Sequence, residues 1–104
     1  MIEMRTTAWR LKYTAANPAV FGSVATYTAD KQFKCAYRSI SASENVRAGR
    51  NASNAGLRVF YFPKFVTFET GDRVRIGGKD YDIIYQPAQS SPSQMTYIDT
   101  KALQ

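Results

Sequence analysis

Short segments in which apolar and polar residues alternate one by one constrain the fold of this chain more than any other feature. In AWRLKY, near the start, Trp9, Leu11 and Tyr13 fall on one side of an extended chain. Arg10 and Lys12 fall on the other side. A period of two residues is that of a β-strand, whose successive side chains point to opposite faces of a sheet. The chain is therefore predicted to be mainly β.

The same alternation recurs in a series of segments separated by turn-forming residues. The further predicted strands are SVATYT (23–28), FKCAYRSI (33–40), LRVFYF (57–62), FVTF (65–68), DRVRI (72–76), KDYDII (79–84) and QMTYIDT (94–100). The turn-like ADKQ separates the first two of these, and NPAVFG and QPAQSSPSQ supply proline-rich connections. Many short antiparallel strands in a single domain spanning 1–104 favour a small β-barrel or sandwich.

One polar stretch, SISASENVRAGRNASNAG, interrupts the series of strands. Ser41 and Glu44 have the spacing of a capping box, in which each side chain accepts a hydrogen bond from a free backbone amide of the first helical turn. Gly49 can end a helix in the left-handed conformation. We predict one short α-helix over 42–48 and a long polar loop over 50–56. Polar excursions of this length in a small domain are usually functional or disordered.

The segment RVRIGGKDYDII resembles an acid–base or metal site, because two aspartates lie two residues apart and face two arginines. A two-residue Gly-Gly turn, however, sets the register of a β-hairpin. The resulting opposite pairs are Ile76 with Lys79, Arg75 with Asp80, Val74 with Tyr81, and Arg73 with Asp82. We interpret the charged residues as two cross-strand ion pairs, each contributing about 0.2–1 kcal/mol. No catalysis or metal is needed to explain them.

The chain contains no histidine and one cysteine, Cys35. The absence of histidine removes the usual general base and the commonest metal ligand. A single cysteine excludes an internal disulfide and a cysteine-rich zinc site. Cys35 alternates with Phe33 and Tyr37, and we interpret it as a small buried hydrophobic residue. No catalytic, metal-binding or cofactor-binding residue is predicted, and we expect the protein not to be an enzyme.

The net charge of the chain is +6, from 14 lysines and arginines against 8 acidic residues. Such a surplus fits an anionic partner, nucleic acid above all, although it is also ordinary for a small soluble domain. The longest apolar runs are too short to span a bilayer, and the first residues lack the features of a signal peptide. We therefore expect synthesis in the cytoplasm and no membrane partner.

The aromatic residues allow two interpretations. Phe60, Phe62, Phe65 and Phe68 could stack on nucleobases, as in barrels that bind single strands, and Trp9 could do the same. Aromatic stripes are more often part of a core. The favoured interpretation of the four phenylalanines is therefore a hairpin or edge-strand pair, near Pro63, that supplies core and interface. Trp9 is interpreted as a core residue.

From residue 37 onward, the order of motifs resembles the head-tail connector family (head-tail adaptor or head-closure proteins) of long-tailed bacteriophages. The family pattern is a strand leading into an sxxE helix and aG, a strand ending near a proline, a dRV...G..YdI hairpin and a last strand. The corresponding segments here are AYRSISASENVRAG, LRVFYFP, DRVRIGGKDYDI and MTYIDT. The chain departs from the family at 60–62, where aromatic residues replace basic or polar ones and indicate a more apolar subunit contact.

The resemblance implies a small β-barrel that forms a homo-oligomeric ring in the neck of the virion, between head and tail. In the family, such rings extend the portal channel, help to retain packaged DNA and provide the docking surface for the tail. The implied partners are a portal or adaptor protein on the head side, a tail terminator or tail-completion protein on the tail side, and the double-stranded DNA in the channel.

The resemblance also assigns candidate residues to the DNA channel. They are Arg47, Arg50 and Arg58 near the DNA, and Asn51, Ser53 and Asn54 in a pliable loop. The residues alone indicate a solvated basic loop more simply. The alternative function is that of a small β-barrel module that binds single-stranded nucleic acid, which predicts exposed aromatic residues on one face of the sheet.

Overall fold

Six β-strands make up the regular structure of the chain in a computed structural model that describes residues 3–41, 55–88 and 91–103. The strands are β1 (Thr6–Thr14), β2 (Thr26–Ile40), β3 (Gly56–Tyr61), β4 (Arg73–Ile76), β5 (Lys79–Tyr85) and β6 (Thr96–Ala102). No helix occurs within the described ranges. The predicted helix over 42–48 and most of the predicted loop over 50–56 lie outside them.

Every neighbouring pair of strands is antiparallel, in the order β1-β2-β3-β6-β5-β4. Strand β4 also pairs with β1, with Ala8 opposite Ile76 and Leu11 opposite Arg73, so that the sheet closes into a barrel. Closure gives each of the six strands a neighbour on both sides, although β2 pairs with β3 only over Ala36–Ile40. The prediction of a mainly β chain with antiparallel strands is confirmed.

The core is formed by alternate residues of the strands together with two residues from the connection between β3 and β4. It contains Ala8, Phe33, Cys35, Leu57, Val59, Tyr61, Val66, Phe68, Val74, Ile76 and Ile98. The ring centroids of Tyr61 and Phe68 are 5.1 Å apart, and those of Phe33 and Phe68 are 5.6 Å apart, both edge to face. This geometry places the positive edge of one ring against the negative face of another.

The predicted strand FVTF is wrong, because residues 65–68 belong to no strand. Val66 and Phe68 are nevertheless only 4% and 5% exposed, while Thr67 between them is exposed. An irregular segment thus places every second side chain in the core without joining the sheet. Alternating hydrophobicity identified the buried residues here but not the conformation of the backbone.

The predicted turn ADKQ is also wrong, because β2 runs through it without a break. Arg10 of β1 lies opposite Lys31, whereas Leu11 lies opposite Ala29, which leaves Asp30 as the extra residue of a β-bulge. The carboxylate of Asp30 accepts hydrogen bonds from Nε and Nη2 of Arg10 at 3.0 and 2.8 Å. The turn-forming residues are therefore accommodated by a bulge inside a long strand.

Strands β4 and β5 form the hairpin with the predicted register. Nε of Arg75 lies 2.7 Å from Oδ1 of Asp80, and Nε of Arg73 lies 2.7 Å from Oδ1 of Asp82. Both turn glycines have positive φ, of 60° and 78°, as a two-residue hairpin turn with a primed geometry requires. The two aspartates and two arginines are cross-strand ion pairs, as predicted.

Trp9 does not belong to the core, contrary to the prediction. Its side chain is 38% exposed, whereas the neighbouring Ala8 is fully buried. Ala8 lies opposite Phe33 on β2 and Ile76 on β4. Because these two large side chains fill the interior on either side, β1 turns its small residue inward and its tryptophan outward.

The start of β3 is held against β6 by a close backbone approach. The backbone amide of Leu57 donates to Oγ1 of Thr100 at 3.1 Å, and that hydroxyl donates to the carbonyl of Leu57 at 3.0 Å. A Cβ added to Gly56 would lie 1.8 Å from the carbonyl oxygen of Thr100. Only glycine therefore fits at this point of the barrel.

We expect Gly56→Ala to lower the free energy of unfolding by about 3 kcal/mol or more, because the clash is with backbone that cannot rotate away. Gly22→Ala is the control: Gly22 has a φ of 81°, but nothing lies within 4 Å of the added Cβ. Its cost is limited to left-handed strain of about 1–2 kcal/mol. Urea unfolding measures both, and equal midpoints for the two variants would contradict the close approach.

Cys35 is fully buried, and this burial raises the pKa of its thiol to about 11. At pH 8 the folded protein therefore holds the neutral thiol, which is not the alkylating species. We expect iodoacetamide to label the folded protein about a hundredfold more slowly than the urea-unfolded protein, the ratio that two pKa units produce. Mass spectrometry over time measures both rates, and comparable rates would show that the thiol is accessible.

A basic groove and an apolar hairpin tip as candidate functional sites

Of the predicted channel residues, the structure describes Arg58. The other five, Arg47, Arg50, Asn51, Ser53 and Asn54, lie outside the described residues. Nε and Nη2 of Arg58 donate to the two carboxylate oxygens of Asp99 at 2.7 and 2.9 Å. The Asp99 side chain is fully buried, and that of Arg58 is 25% exposed. The guanidinium is thus built into the barrel wall, and the channel role of Arg58 stays a prediction.

Aromatic rings surround this ion pair on the outer face of the barrel. The guanidinium carbon of Arg58 lies 4.4 Å from the ring centroid of Tyr97. Phe60 and Tyr85 each pack against Tyr97 with ring centroids 6.2 Å away. A cation above a ring face and tilted neighbouring rings are both favourable arrangements. These residues stabilise one another across β3, β5 and β6.

The four phenylalanines of the predicted aromatic series have different environments. Phe68 is a core residue, as expected, and Phe60 and Phe62 are half-buried. Phe65 is 57% exposed and lies outside the core, so of the core and interface roles predicted for the series it can have only the interface role, which stays a prediction. It follows Pro63 and Lys64 in the turn after β3, where no second layer covers its ring.

A groove of about 390 Å³ lies beside Phe65, where β1 and β2 meet this turn. We call it the basic groove; its lining includes Thr7, Lys31, Phe33, Lys34, Lys64 and Phe65. Nζ of Lys34 donates to Oγ1 of Thr7 at 2.5 Å. Nζ of Lys64 lies 5.0 Å from the ring centroid of Phe65. Two of its three lysines are therefore oriented by neighbouring side chains of the groove.

The described carboxylates are engaged elsewhere. Six form ion pairs: Glu3, Asp30, Glu69, Asp80, Asp82 and Asp99. The seventh, Asp72, is buried and accepts hydrogen bonds from the backbone amides of Tyr13 and Glu69 at 3.0 and 2.9 Å. None of the seven lines the basic groove. Lys31, Lys34 and Lys64 consequently have no carboxylate partner among the described residues.

Hydrogen bonds keep two of the paired carboxylates charged. The side-chain hydrogen bond from Arg10 is the main cause that lowers the pKa of Asp30, and the one from Lys12 does the same for the pKa of Glu69. Both groups stay ionised at neutral pH and neutralise their own partners. Three lysines outside the ion pairs, by contrast, line one groove.

The basic groove has side chains suited to an anion. Ammonium groups without counter-charges attract negative charge, and the exposed ring of Phe65 offers an apolar contact. Within the described ranges, no three histidine, cysteine or acidic side chains are grouped to hold a metal ion. The same ranges contain no helix long and apolar enough to cross a membrane.

A second distinctive surface is the connection between β1 and β2. We call residues 17–24 the hairpin tip. Val20, Phe21 and Val24 are 54%, 105% and 70% exposed. From Tyr13 to Ala29 the chain contains no charged residue. Apolar side chains thus point into solvent from a region without any charge, which is typical of a contact surface.

Local hydrogen bonds give the hairpin tip a defined conformation. The amide of Ala19 donates to Oδ1 of Asn17 at 3.0 Å, and the amide of Asn17 donates to Oγ of Ser23 at 2.8 Å. The amide of Val20 donates to the carbonyl of Asn17 at 3.0 Å, and Gly22 takes the positive φ of 81°. The turn therefore holds the exposed residues in place before any partner binds.

Neither surface is evident as a functional site from the sequence. The basic groove joins lysines from β2 and from the turn after β3, and this proximity exists only in the folded barrel. For the hairpin tip a signal was present. NPAVFG places Val20 and Phe21 inside a proline- and glycine-containing connection, where polar residues are usual because loops lie at the surface.

Comparison with known proteins supports the fold. No protein-family model matches the chain, and no curated protein matches it. The chain is similar to the solution structure of protein SF1141 from Shigella flexneri 2a, with a TM-score of 0.70 and 12% sequence identity. The similarity covers 95% of this chain and 92% of that protein. At this identity the likeness shows a shared fold and nothing about activity.

We expect Arg58→Met to cost about 2–3 kcal/mol of stability, somewhat less than the 3–5 kcal/mol typical of a broken buried pair, because Arg58 retains some exposure. Arg75→Met is the matched control, since Arg75 is 44% exposed and pairs with the exposed-face Asp80. It should cost less than about 1 kcal/mol. Urea unfolding compares the two, and equal losses would mean that burial of Asp99 adds nothing to the pair.

Proposed function

We propose that this protein is a structural component of a bacteriophage virion. In this proposal, its copies form a ring at the junction of head and tail, where they extend the portal channel, help to retain packaged DNA and offer a docking surface to the tail. The order of the motifs from residue 37 onward supports the family, and the small antiparallel barrel agrees with the fold that this resemblance implies.

The hairpin tip carries the proposal that the protein acts by assembly. An ordered turn that holds a fully exposed phenylalanine in water gains nothing for the isolated chain, whereas the same side chain is an anchor when a partner covers it. The hydrogen bonds of Asn17 and Ser23 also reduce the entropy lost on binding. A surface of this kind is expected of a subunit that contacts another protein.

The two surfaces suit a ring. A ring needs a heterologous contact, in which one surface of each copy meets a different surface of the next. The uncharged hairpin tip and the remainder of the barrel wall differ in this way. The molecule extends 50 Å along its longest axis and 31 and 28 Å along the others. An elongated subunit can contact a neighbouring copy at a distance from its own centre.

Within the proposal, Arg47, Arg50 and Arg58 remain the residues near the DNA channel, and Asn51, Ser53 and Asn54 remain the pliable loop. Arg58 follows the loop residues in the sequence and lies in β3, where its guanidinium pairs with Asp99. The partners are a portal or adaptor protein, a tail terminator or tail-completion protein, and packaged double-stranded DNA. The place of the protein is the neck of the virion.

The rival function is that of a barrel that binds single-stranded nucleic acid. The exposed ring of Phe65 beside three lysines favours it, since aromatic rings stack on bases and cations hold the phosphates. The rival predicts micromolar or tighter binding by a single copy, with a clear preference for single strands. The assembly proposal predicts association between copies through the hairpin tip.

We expect Phe21→Ser to weaken self-association of the concentrated protein about thirtyfold, the loss of an anchor of about 2 kcal/mol. Negative-stain electron microscopy should show rings for the unaltered protein, and sedimentation velocity should measure the change. Phe65→Ser is the matched control, because it removes an exposed aromatic ring outside the hairpin tip.

Both variants should keep the unfolding midpoint of the parent, because neither ring is buried. A parent protein that remains monomeric at every concentration, together with tight binding specific to single-stranded oligonucleotides, would overturn the assembly proposal in favour of its rival.

A further inference from the structure

We propose that the basic groove is a binding site for the phosphodiester backbone of nucleic acid. Lys31, Lys34 and Lys64 contact the phosphates in this assignment. The site belongs entirely to one copy of the chain, and its residues differ from those of the predicted channel loop. It therefore extends the proposed function and does not require a ring to form.

Charge is distributed unevenly over the barrel. Nζ of Lys12 lies 2.7 Å from Oε2 of Glu69, and four arginines pair with aspartates. Lys31, Lys34 and Lys64 have no carboxylate partner within the described part of the chain, and all three line one groove that contains no described carboxylate. An anionic ligand would supply the counter-charge.

The shape of the site also suits a phosphate backbone. The groove lies between Lys31 and Lys34 of β2 and Lys64 of the turn after β3. Duplex DNA presents about one negative charge per 1.7 Å of its axis, so a few lysines can meet phosphates in many registers. Lysine is a compact point charge without a fixed fork of donors. Binding should consequently be independent of base sequence.

An acidic peptide is the competing ligand. Extended peptides commonly bind by adding a strand to the open edge of a sheet, where main-chain hydrogen bonds supply affinity. Strand β2 pairs with β3 only over Ala36–Ile40, so its residues 31–34 have a strand neighbour on the β1 side alone. A peptide at this edge would bind mainly through main-chain hydrogen bonds, whereas a phosphodiester backbone binds through the lysine charges, and the salt dependence of binding distinguishes the two.

Phe65 distinguishes two sources of the same phosphodiester chemistry. A single strand can place an unpaired base on the exposed ring of Phe65, while a duplex keeps its bases stacked inside. Phe65→Ala should therefore weaken binding of single strands more than fivefold and leave duplex binding unchanged. If binding of neither ligand changes with this substitution, Phe65 does not stack on bases. The groove then contacts only the phosphates of both ligands, which agrees with the proposal.

The test compares two variants of equal charge. K31Q with K64Q removes two groove lysines and retains Lys34, whose hydrogen bond to Thr7 is structural. K79Q with K101Q removes two lysines that do not line the groove. Fluorescence anisotropy with labelled duplex and single-stranded oligonucleotides, between about 50 and 200 mM salt, gives the Kd and its salt dependence.

For the groove variant, the slope of log K against log salt should fall by about 1.8 on the duplex, or about 0.9 for each lost contact. The Kd should rise roughly tenfold, as expected for two exposed ionic contacts. The control variant should retain the parental slope and Kd. Circular dichroism of both variants verifies that the barrel is intact.

Three results would overturn the proposal. The first is an equal loss in both variants, which would reduce the effect to net charge. The second is no measurable binding by the parent at the lowest salt. The third is that polyglutamate displaces the oligonucleotides at equal charge concentration, which would identify an acidic protein segment as the ligand.

Phe21→Ser separates this proposal from that of assembly. The substitution should leave the Kd for oligonucleotides unchanged in dilute protein, because the hairpin tip contributes nothing to the groove. Loss of rings with retained binding would support both proposals. Retained rings in the groove variant, with parental binding of nucleic acid, would contradict the groove alone.

Discussion

The pairing of β4 with β1 is the contact on which the rest of the barrel depends. It turns an open sheet into a closed one, so that every inner face meets another inner face and the core needs no covering layer of helices. It also determines which side of β1 faces inward. Ala8 lies between Phe33 and Ile76, and its small size allows these side chains to meet. Closure reduces the open edges through which sheets commonly associate, and residues 26–35 of β2 are paired on the β1 side alone.

The sequence predicted those parts of the fold that are governed by neighbouring residues. The register of the β4–β5 hairpin follows from Gly77-Gly78 alone, because a two-residue turn aligns the residues on either side of it. The errors concern positions governed by distant contacts. Trp9 was predicted to be core from the alternation of β1, but the available inner volume is set by β2 and β4. The bulge at Asp30 is stabilised by Arg10, twenty positions away along the chain, whose Nε donates a hydrogen bond to Oδ1 of Asp30.

The same distinction applies to the candidate sites. A net charge of +6 was evident, but its location was not, because it depends on which carboxylates find cations after folding. Arg58 is one of the predicted channel residues, and in the structure its guanidinium forms an ion pair with Asp99. The sequence does not show this pair because Asp99 comes from β6. Lys31, Lys34 and Lys64 differ from the other lysines outside ion pairs because they line one groove. Their position there depends on how β2 and the turn after β3 are placed in the folded barrel, which local sequence patterns do not show.

The contact between Gly56 and Thr100 has a consequence for how such a barrel changes over evolution. The carbonyl oxygen of Ala55 accepts a hydrogen bond from the amide of Ala102 at 2.9 Å. The residue that precedes β3 is therefore already bonded to β6. Ile40 ends β2 opposite Gly56. The register of both strands is therefore independent of how many residues connect them. Each doubling of a flexible connection costs only about 0.6 kcal/mol in closure entropy. Insertions and deletions between Ile40 and Ala55 can alter what the protein contacts while the barrel keeps its shape.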